Sequence, residues 1–395
     1  MGVDWSDLPP EIIEAIAGNL PTYGDYLRFR ATCRSWHSFL PQAPLRLGPQ
    51  LPWLMLSRRA FFHLSTHKTH LLNLPEPSIR TRNCGSSHGW LITLNEESPS
   101  IILLNPLTRA TRSLPPLTAF PSVISFSYSN IGREYIVRNR HGGVDSFNLR
   151  QMCNSFVRKI VLSSSPSRSN EFSAFAIVGE RNLALCRDGD DSWIFVSEEE
   201  ELHCWEDAVH HDGSNSFYAV SKEGTVAVCS INDECFPPRV SIVQTVASVR
   251  FSGDIHYAVF SGEIMMLVSR ILEQEFDDDA GGESNLVYRT VGFEIFEMNW
   301  CALKWEKLES LGDRALFIGG NSSLSLFAGS IGCLGDCIYF TDDYSDFNCD
   351  DACGKHDLGI FRLWDQGIEP LPCYPRNSYS RLGWPLPIWV SPNPS

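Results

Sequence analysis

Leu103-Leu-Asn-Pro-Leu-Thr-Arg-Ala-Thr-Arg-Ser-Leu-Pro115 reads as an apolar strand, a polar turn and a second strand that ends in Leu-Pro. The hairpin returns in looser form as Phe293-Glu-Ile-Phe-Glu-Met298 followed by Leu303-Lys-Trp-Glu-Lys-Leu-Glu-Ser-Leu311. It returns again as Gly359-Ile-Phe-Arg-Leu-Trp-Asp-Gln-Gly-Ile-Glu-Pro-Leu-Pro372. One small unit that cannot bury its own apolar face, repeated at variable spacing, suggests blades stacked into a propeller.

Around these copies, from about residue 50 onward, short apolar runs follow one another: Ile101–Leu104, Ala174–Val178, Trp193–Val196, Thr225–Val228, Ile264–Val268 and Cys337–Phe340. Gly, Asp, Asn and Pro punctuate them, which is the pattern of many short antiparallel strands. No stretch alternates strands with long amphipathic helices, so a parallel α/β sheet is not expected. A β-sandwich is the structural alternative, but the β-rich stretch exceeds the roughly 200–250 residues usual for one all-β unit. Six, seven and eight blades all remain open.

Residues 5 to 40 obey a different period. Leu8, Ile12, Ile13, Ile16, Ala17 and Leu20 recur at three- and four-residue steps and make one helical apolar face. Pro9 and Pro10 are tolerated in a first turn, whose amides have no helical partner. Gly18-Asn19 and Pro21 end the helix, and Thr22 and Asp25 can cap the next. Phe29, Cys33, Trp36 and Leu40 share a second helical face that Pro41 stops. Two or three short helices cannot bury Leu8, Pro9, Ile12, Ile13, Ile16, Leu20, Leu27, Cys33 and Trp36 among themselves, so some of these nine should face a partner. The alternative is that they pack only against the rest of the chain.

With 395 residues, 43% of them hydrophobic, the chain can build a large core. Its net charge of −15 and the lack of any Lys/Arg cluster argue against nucleic acid and against an anionic membrane surface. The acidity lies in Glu198–Glu201, Asp277–Asp279 and Asp342–Asp351, read as solvated loops. No 18-residue apolar run and no basic-then-apolar leader are visible. Thirteen cysteines, an odd number scattered along the chain, read as reduced thiols in an intracellular setting, nucleus and/or cytoplasm.

Other constellations carry little chemistry. Cys333-x3-Cys337 with Cys349-x3-Cys353, and His356 in reserve, has a spacing that zinc can use. Cys337, however, opens an apolar strand and reads more simply as core. Asp346-x-Asn348-x-Asp350 starts like a calcium loop but has Asp351 where Gly is needed and Asp357 in place of the twelfth Glu. His210-His211-Asp212 has no nucleophile beside it and reads as a solvated turn. No nucleophile elbow and no phosphate-cradling glycine loop is present, so no cofactor is expected.

Trp5-Ser-Asp-Leu-Pro-Pro-Glu-Ile-Ile13 with Leu27-Arg-Phe-Arg-Ala-Thr-Cys-Arg-Ser-Trp36 resembles an F-box. The remainder resembles plant F-box proteins whose C-terminal half is a KIB-type β-propeller. The carrying stretches are Cys84-Gly-Ser-Ser-His-Gly-Trp-Leu91, Leu104-Asn-Pro-Leu-Thr108, Phe217-Tyr-Ala-Val220, Ser310–Asn321, Cys337-Ile-Tyr-Phe-Thr-Asp-Asp343 and Trp389-Val-Ser-Pro392. The resemblance implies an all-α F-box of short helices at 1–45 and an all-β, kelch-like propeller at 46–395 that binds the substrate. It further implies docking on a Skp-family adaptor and, through it, a cullin–RING ligase that ubiquitinates an unknown protein target, with no catalysis in this chain. A scaffold that binds the adaptor without a cullin, and a propeller enzyme with carboxylates or a metal at its central channel, stand as alternatives.

Overall fold

A computed structural model describes residues 5, 8–20, 22–41, 44, 50–75, 81–167, 171–180, 182–196, 203–231, 240–245, 251–277, 285–343, 357–371, 373 and 386–394. Three short helices come first: α1 (Pro10–Gly18), α2 (Tyr23–Arg30) and α3 (Arg34–Phe39). Pro9 is the N-cap of α1, with Pro10 in the first turn and Asn19 as C-cap. The Thr22 side chain caps α2 by accepting from the Asp25 amide.

The face shared by Phe29, Cys33, Trp36 and Leu40 is not one helix. The chain breaks at Thr32, and Cys33 becomes the N-cap of α3, its sulfur accepting from the Trp36 amide. Phe29 and Trp36 still meet across the break, with ring centroids 4.4 Å apart. Two bonds close the unit: Tyr26 donates its hydroxyl hydrogen to the Pro41 carbonyl at 2.6 Å, and Arg30 Nε donates to the Leu40 carbonyl at 2.9 Å.

Among the described residues the rest is mainly β-structure, in seven sheets, with short helical turns at Leu117–Ala119, Leu149–Gln151, Met152–Phe156 and Ala328–Ile331. Six of them form a ring of blades. Blade 1 has, from the innermost strand outward, Ile388–Val390, Trp53–Met55, Ala60–His63 and Lys68–Leu71, so both ends of the chain build it. Blade 2 runs from Thr81–Ser87 to Thr111–Leu114, blade 3 from Val157–Leu162 to Ile194–Phe195, blade 4 from Trp205–His211 to Val240–Val243, and blade 5 from Ile255–Ser261 to Lys304–Leu308. Blade 6 has five strands, Leu324–Phe327 innermost, and contains one parallel pair, Arg314–Ile318 with Cys337–Phe340. The three repeated hairpins of the sequence are the outermost strand pairs of blades 2, 5 and 6.

The seventh sheet, Val123–Phe126, Tyr135–Arg138 and Val144–Phe147, lies outside the ring. Blades 2 and 3 are already in contact at their inner strands: a Cβ added at Gly85 would stand 2.3 Å from the Ile160 carbonyl oxygen, so only glycine allows that approach. The three-stranded sheet instead packs Tyr135 and Val137 into the apolar cluster that blades 2 and 3 share.

Strands in the ring are covered on both faces by neighbouring blades. Ser173–Val178 is therefore buried at every position instead of alternating. The joint between blades 6 and 1 closes the ring, with Phe317, Tyr339, Leu54 and Trp389 in one cluster. Leu107, in the turn of the blade 2 repeat, packs against the helical core of Ile13, Ala17, Tyr23, Tyr26, Trp36 and Leu40.

Candidate functional site

Two surfaces gather chemistry: the helical unit and the two ends of the channel inside the ring. On the helices the nine candidate positions divide by burial. Ile13 and Trp36 are core, at 2% and 6% exposure. Leu8, Leu20 and Cys33 are half-buried around that core, and Ile16 is half-buried outside it. Pro9, Ile12 and Leu27 are exposed, Ile12 by 47% and Leu27 by 40%. Phe39, 40% exposed on α3, joins the outward apolar residues. Sequence reasoning passed over it, although Phe39 stands one helical step, three residues, beyond Trp36; its exposure is set by packing and not by spacing.

The N-terminal ends of the inner strands of blades 2 to 5 meet at one end of the channel, around a cavity of ≈ 140 Å³ lined by Arg82, Lys159, Glu206, Asp207, His256 and Asp343 among others. Carboxylates thus do converge on the channel, against the expectation that acidic groups stay in separate loops. The strands bring together residues 207 and 343, which no local pattern connects. Each carboxylate has a partner. Lys159 Nζ pairs with Asp207 Oδ1, and Asp207 Oδ2 accepts from the Ala258 amide at 2.9 Å. Burial still pushes the Asp207 carboxyl above its ordinary range. Glu206 Oε2 accepts from the His256 amide at 3.0 Å.

Arg270, fully buried, donates from Nη1 to Asp343 Oδ1 and from Nη2 to Asp357 Oδ2, both at 2.9 Å. It also reaches Thr290, Tyr257 and the Thr341 carbonyl. This network ties blade 5 to blade 6. Asp357, twelfth in the suspected calcium loop, is therefore engaged with Arg270; Asp346–Asp351 lie outside the described residues.

At the other end, where the inner strands of blades 1, 2, 4 and 5 finish and that of blade 6 begins, lies the larger cavity, ≈ 550 Å³, lined from five blades by Ser86–Gly89, Val209–Gly213, Phe260, Gly262, Glu263, Ser322–Ser325, Trp389, Ser391 and Asn393. The reading of His210-His211-Asp212 as a solvated turn is corrected here. The His210 side chain is only 4% exposed and stands edge-on to Phe217 at 5.0 Å. His211 stacks on Phe260 at 4.2 Å, and its Nδ1 lies 3.0 Å from Ser214 Oγ. Adjacent strand residues point to opposite faces, so the two rings enter opposite blade joints. Asp212 Oδ1 lies 3.1 Å from His210 Nδ1, a hydrogen bond that holds the Asp212 carboxyl below its ordinary range.

His88 reaches the same place from the Ser87–Trp90 hairpin of blade 2. One imidazole nitrogen of His88, one of His210 and a carboxylate oxygen of Asp212 lie within 4.8 Å of one another. His88 was missed in the sequence. The available signal was His88-Gly89 as a two-residue hairpin loop, where φ is +50° and +85° and Asn-Gly is the usual choice.

Of the suspected zinc cysteines, Cys337 is buried in the cluster of Phe317 and Tyr339, and burial pushes its thiol up to about 12. Burial also raises Cys333, to about 11. Cys349 and Cys353 lie outside the described residues, as does His356. Among the described residues no helix is long and apolar enough to cross a membrane.

An N-terminal helical unit carrying outward apolar residues on a propeller-like ring defines the class of an F-box protein with a propeller. Comparison with known proteins agrees. Residues 5–42 match the F-box-like family and residues 61–362 match the KIB1-4 beta-propeller family. The chain belongs to the KIB1-4 β-propeller family, with an F-box-like segment at its N-terminus. Among its relatives in Arabidopsis thaliana is F-box protein SKIP23, 28% identical over 98% of this chain and 96% of that protein. Another, named a putative F-box protein, is 28% identical over 92% of this chain and 93% of its own length.

Proposed function

We propose that this chain is the substrate-recognition subunit of a Skp–cullin–F-box ubiquitin ligase, presenting a target protein for ubiquitination and proteasomal degradation. The observation that carries this reading is the outward apolar set Pro9, Ile12, Leu27 and Phe39. The helices leave these residues uncovered after filling their own core with Ile13, Tyr26 and Trp36. Exposed apolar residues of this kind are what the desolvated centre of a protein interface is built from.

In this reading residues 1–45 dock the adaptor, 46–395 hold the target, and the chain works in the nucleus and/or cytoplasm. The larger cavity and the loops around it are the surface offered to the target, since recognition residues concentrate on loops set by a rigid scaffold. The chain supplies no transfer chemistry of its own; the carboxylates at the narrower end of the channel are held by Lys159, Arg270 and backbone amides.

The test is co-purification of the full chain from plant cells under proteasome inhibition. Recovery of both a Skp-type adaptor and a cullin supports the ligase reading. Recovery of the adaptor alone favours a non-ligase scaffold, and recovery of neither overturns the proposal.

A further inference from the structure

We propose that His88, His210 and Asp212 form a binding site for a divalent transition metal of the zinc class at the mouth of the larger cavity. Three features carry it, none of them part of the adaptor face.

The first is convergence. The ligating atoms come from two hairpins on different blades and already lie within 4.8 Å of one another. His210 Nδ1 and Asp212 Oδ1 are 3.1 Å apart, close to the roughly 3.3 Å edge of a tetrahedron with zinc–ligand lengths of about 2.0–2.1 Å. Closing the triad around an ion needs a shift of about 1–1.5 Å at most, within reach of side-chain torsions.

The second is orientation of the rings. His88 Nε2 lies 3.2 Å from the Leu162 carbonyl, which can only accept. A neutral imidazole that donates from Nε2 carries its lone pair on Nδ1, and a backbone carbonyl holding the far nitrogen is a common support for a ligating histidine. The loop is braced as well: Asn393 Nδ2 donates to the His88 carbonyl at 2.9 Å, and a Cβ at Gly89 would stand 2.4 Å from Asn393 Cβ. His210 is clamped against Phe217, and in the metal-free protein its Nδ1 donates to Asp212 Oδ1; an ion between those two atoms takes the place of that hydrogen, and the imidazole proton moves to the buried Nε2.

The third is the residue choice. His88 has φ +50° in a two-residue hairpin loop, a place most often filled by Asn, although His also adopts this conformation, as His67 does at φ +53°. The turn does not need an imidazole, but a metal does. Two imidazoles and one carboxylate favour zinc over magnesium or calcium, which take oxygen ligands. The Asp212 side chain is 84% exposed, which leaves the remaining coordination position open to the cavity.

The experiment uses the full chain freed of metal and titrated with Co²⁺ as a spectroscopic substitute, then with Zn²⁺. One equivalent of Co²⁺ should bind with the visible bands of a low-coordinate nitrogen–oxygen site, lack thiolate charge-transfer absorption, and be displaced by Zn²⁺. His210→Gln and Asp212→Asn should each weaken binding by at least ~10-fold. His88→Asn is the decisive variant, because Asn suits the left-handed turn: its metal-free thermal midpoint should match or exceed the wild type while metal affinity falls to the same degree. Unchanged affinity in His88→Asn, thiolate bands that survive in His210→Gln, or no binding near one equivalent would each overturn the assignment.

Discussion

Replacing Ile12 and Leu27 together with alanine tests the docking face without touching the core beneath it. About half of each side chain is still open to solvent, 47% for Ile12 and 40% for Leu27. Full burial of a side chain of this kind contributes roughly 1.5–3 kcal/mol, so the uncovered share of the pair offers a partner about 1.3–2.6 kcal/mol. At 1.4 kcal/mol per decade the adaptor Kd should rise roughly 10- to 100-fold. The fold should hardly notice, since surface substitutions usually stay within about 0.5 kcal/mol. Ile13→Ala is the contrast. Ile13 is 2% exposed inside the helical cluster, and its truncation costs about 2–5 kcal/mol of stability. The two variants therefore lose binding for different reasons. The assay is calorimetric titration of a purified Skp-type adaptor into each variant, with circular dichroism of the same samples. If the Ile12/Leu27 variant is folded and binds like wild type, the outward residues of α1 and α2 are not the docking face.

Other consequences follow from the ring. Arg270→Met should lower stability by about 3–5 kcal/mol, because Asp343 and Asp357 lose their shared cation in a buried site; an unchanged thermal midpoint would mean the network contributes little. For pH dependence, Glu134 Oε1 accepts from the Gly132 amide at 2.9 Å, and that bond holds its carboxyl below the ordinary range. A depressed folded-state value stabilises above the unfolded-state value of about 4.3 and fades as pH falls through the folded one. Denaturation midpoints of Glu134→Gln should accordingly vary less with pH below ~4.3 than those of wild type; parallel curves would contradict the assignment. Burial pushes Cys229 and Cys337 up to about 12, while Cys301 is exposed. At mild alkaline pH Cys301 should be alkylated in the native protein and Cys229 and Cys337 only after unfolding, as peptide mass mapping would show.

Short-range patterns carried much of this molecule in its sequence. Helical spacing over Leu8–Leu20, proline in the first turn and Thr22 as a cap specify α1 and α2 because those forces act within four or five residues. The hairpin repeat likewise announces the outer strands of blades 2, 5 and 6, since turn chemistry and strand register are local. Tertiary structure decided what depends on distant partners. Ile12 and Ile13 are neighbours with the same side chain, and only packing against Tyr26 and Trp36 makes one core and leaves the other outward. Seven sheets make six blades because Gly85 lets blade 2 touch blade 3 directly, which leaves the three-stranded sheet no place in the ring. Blade 1 borrows its inner strand from Ile388–Val390, more than 300 residues after Trp53. His88 and His210 meet for the same reason: a ring of blades sets side by side residues that are far apart along the chain, and no spacing rule reaches across that distance.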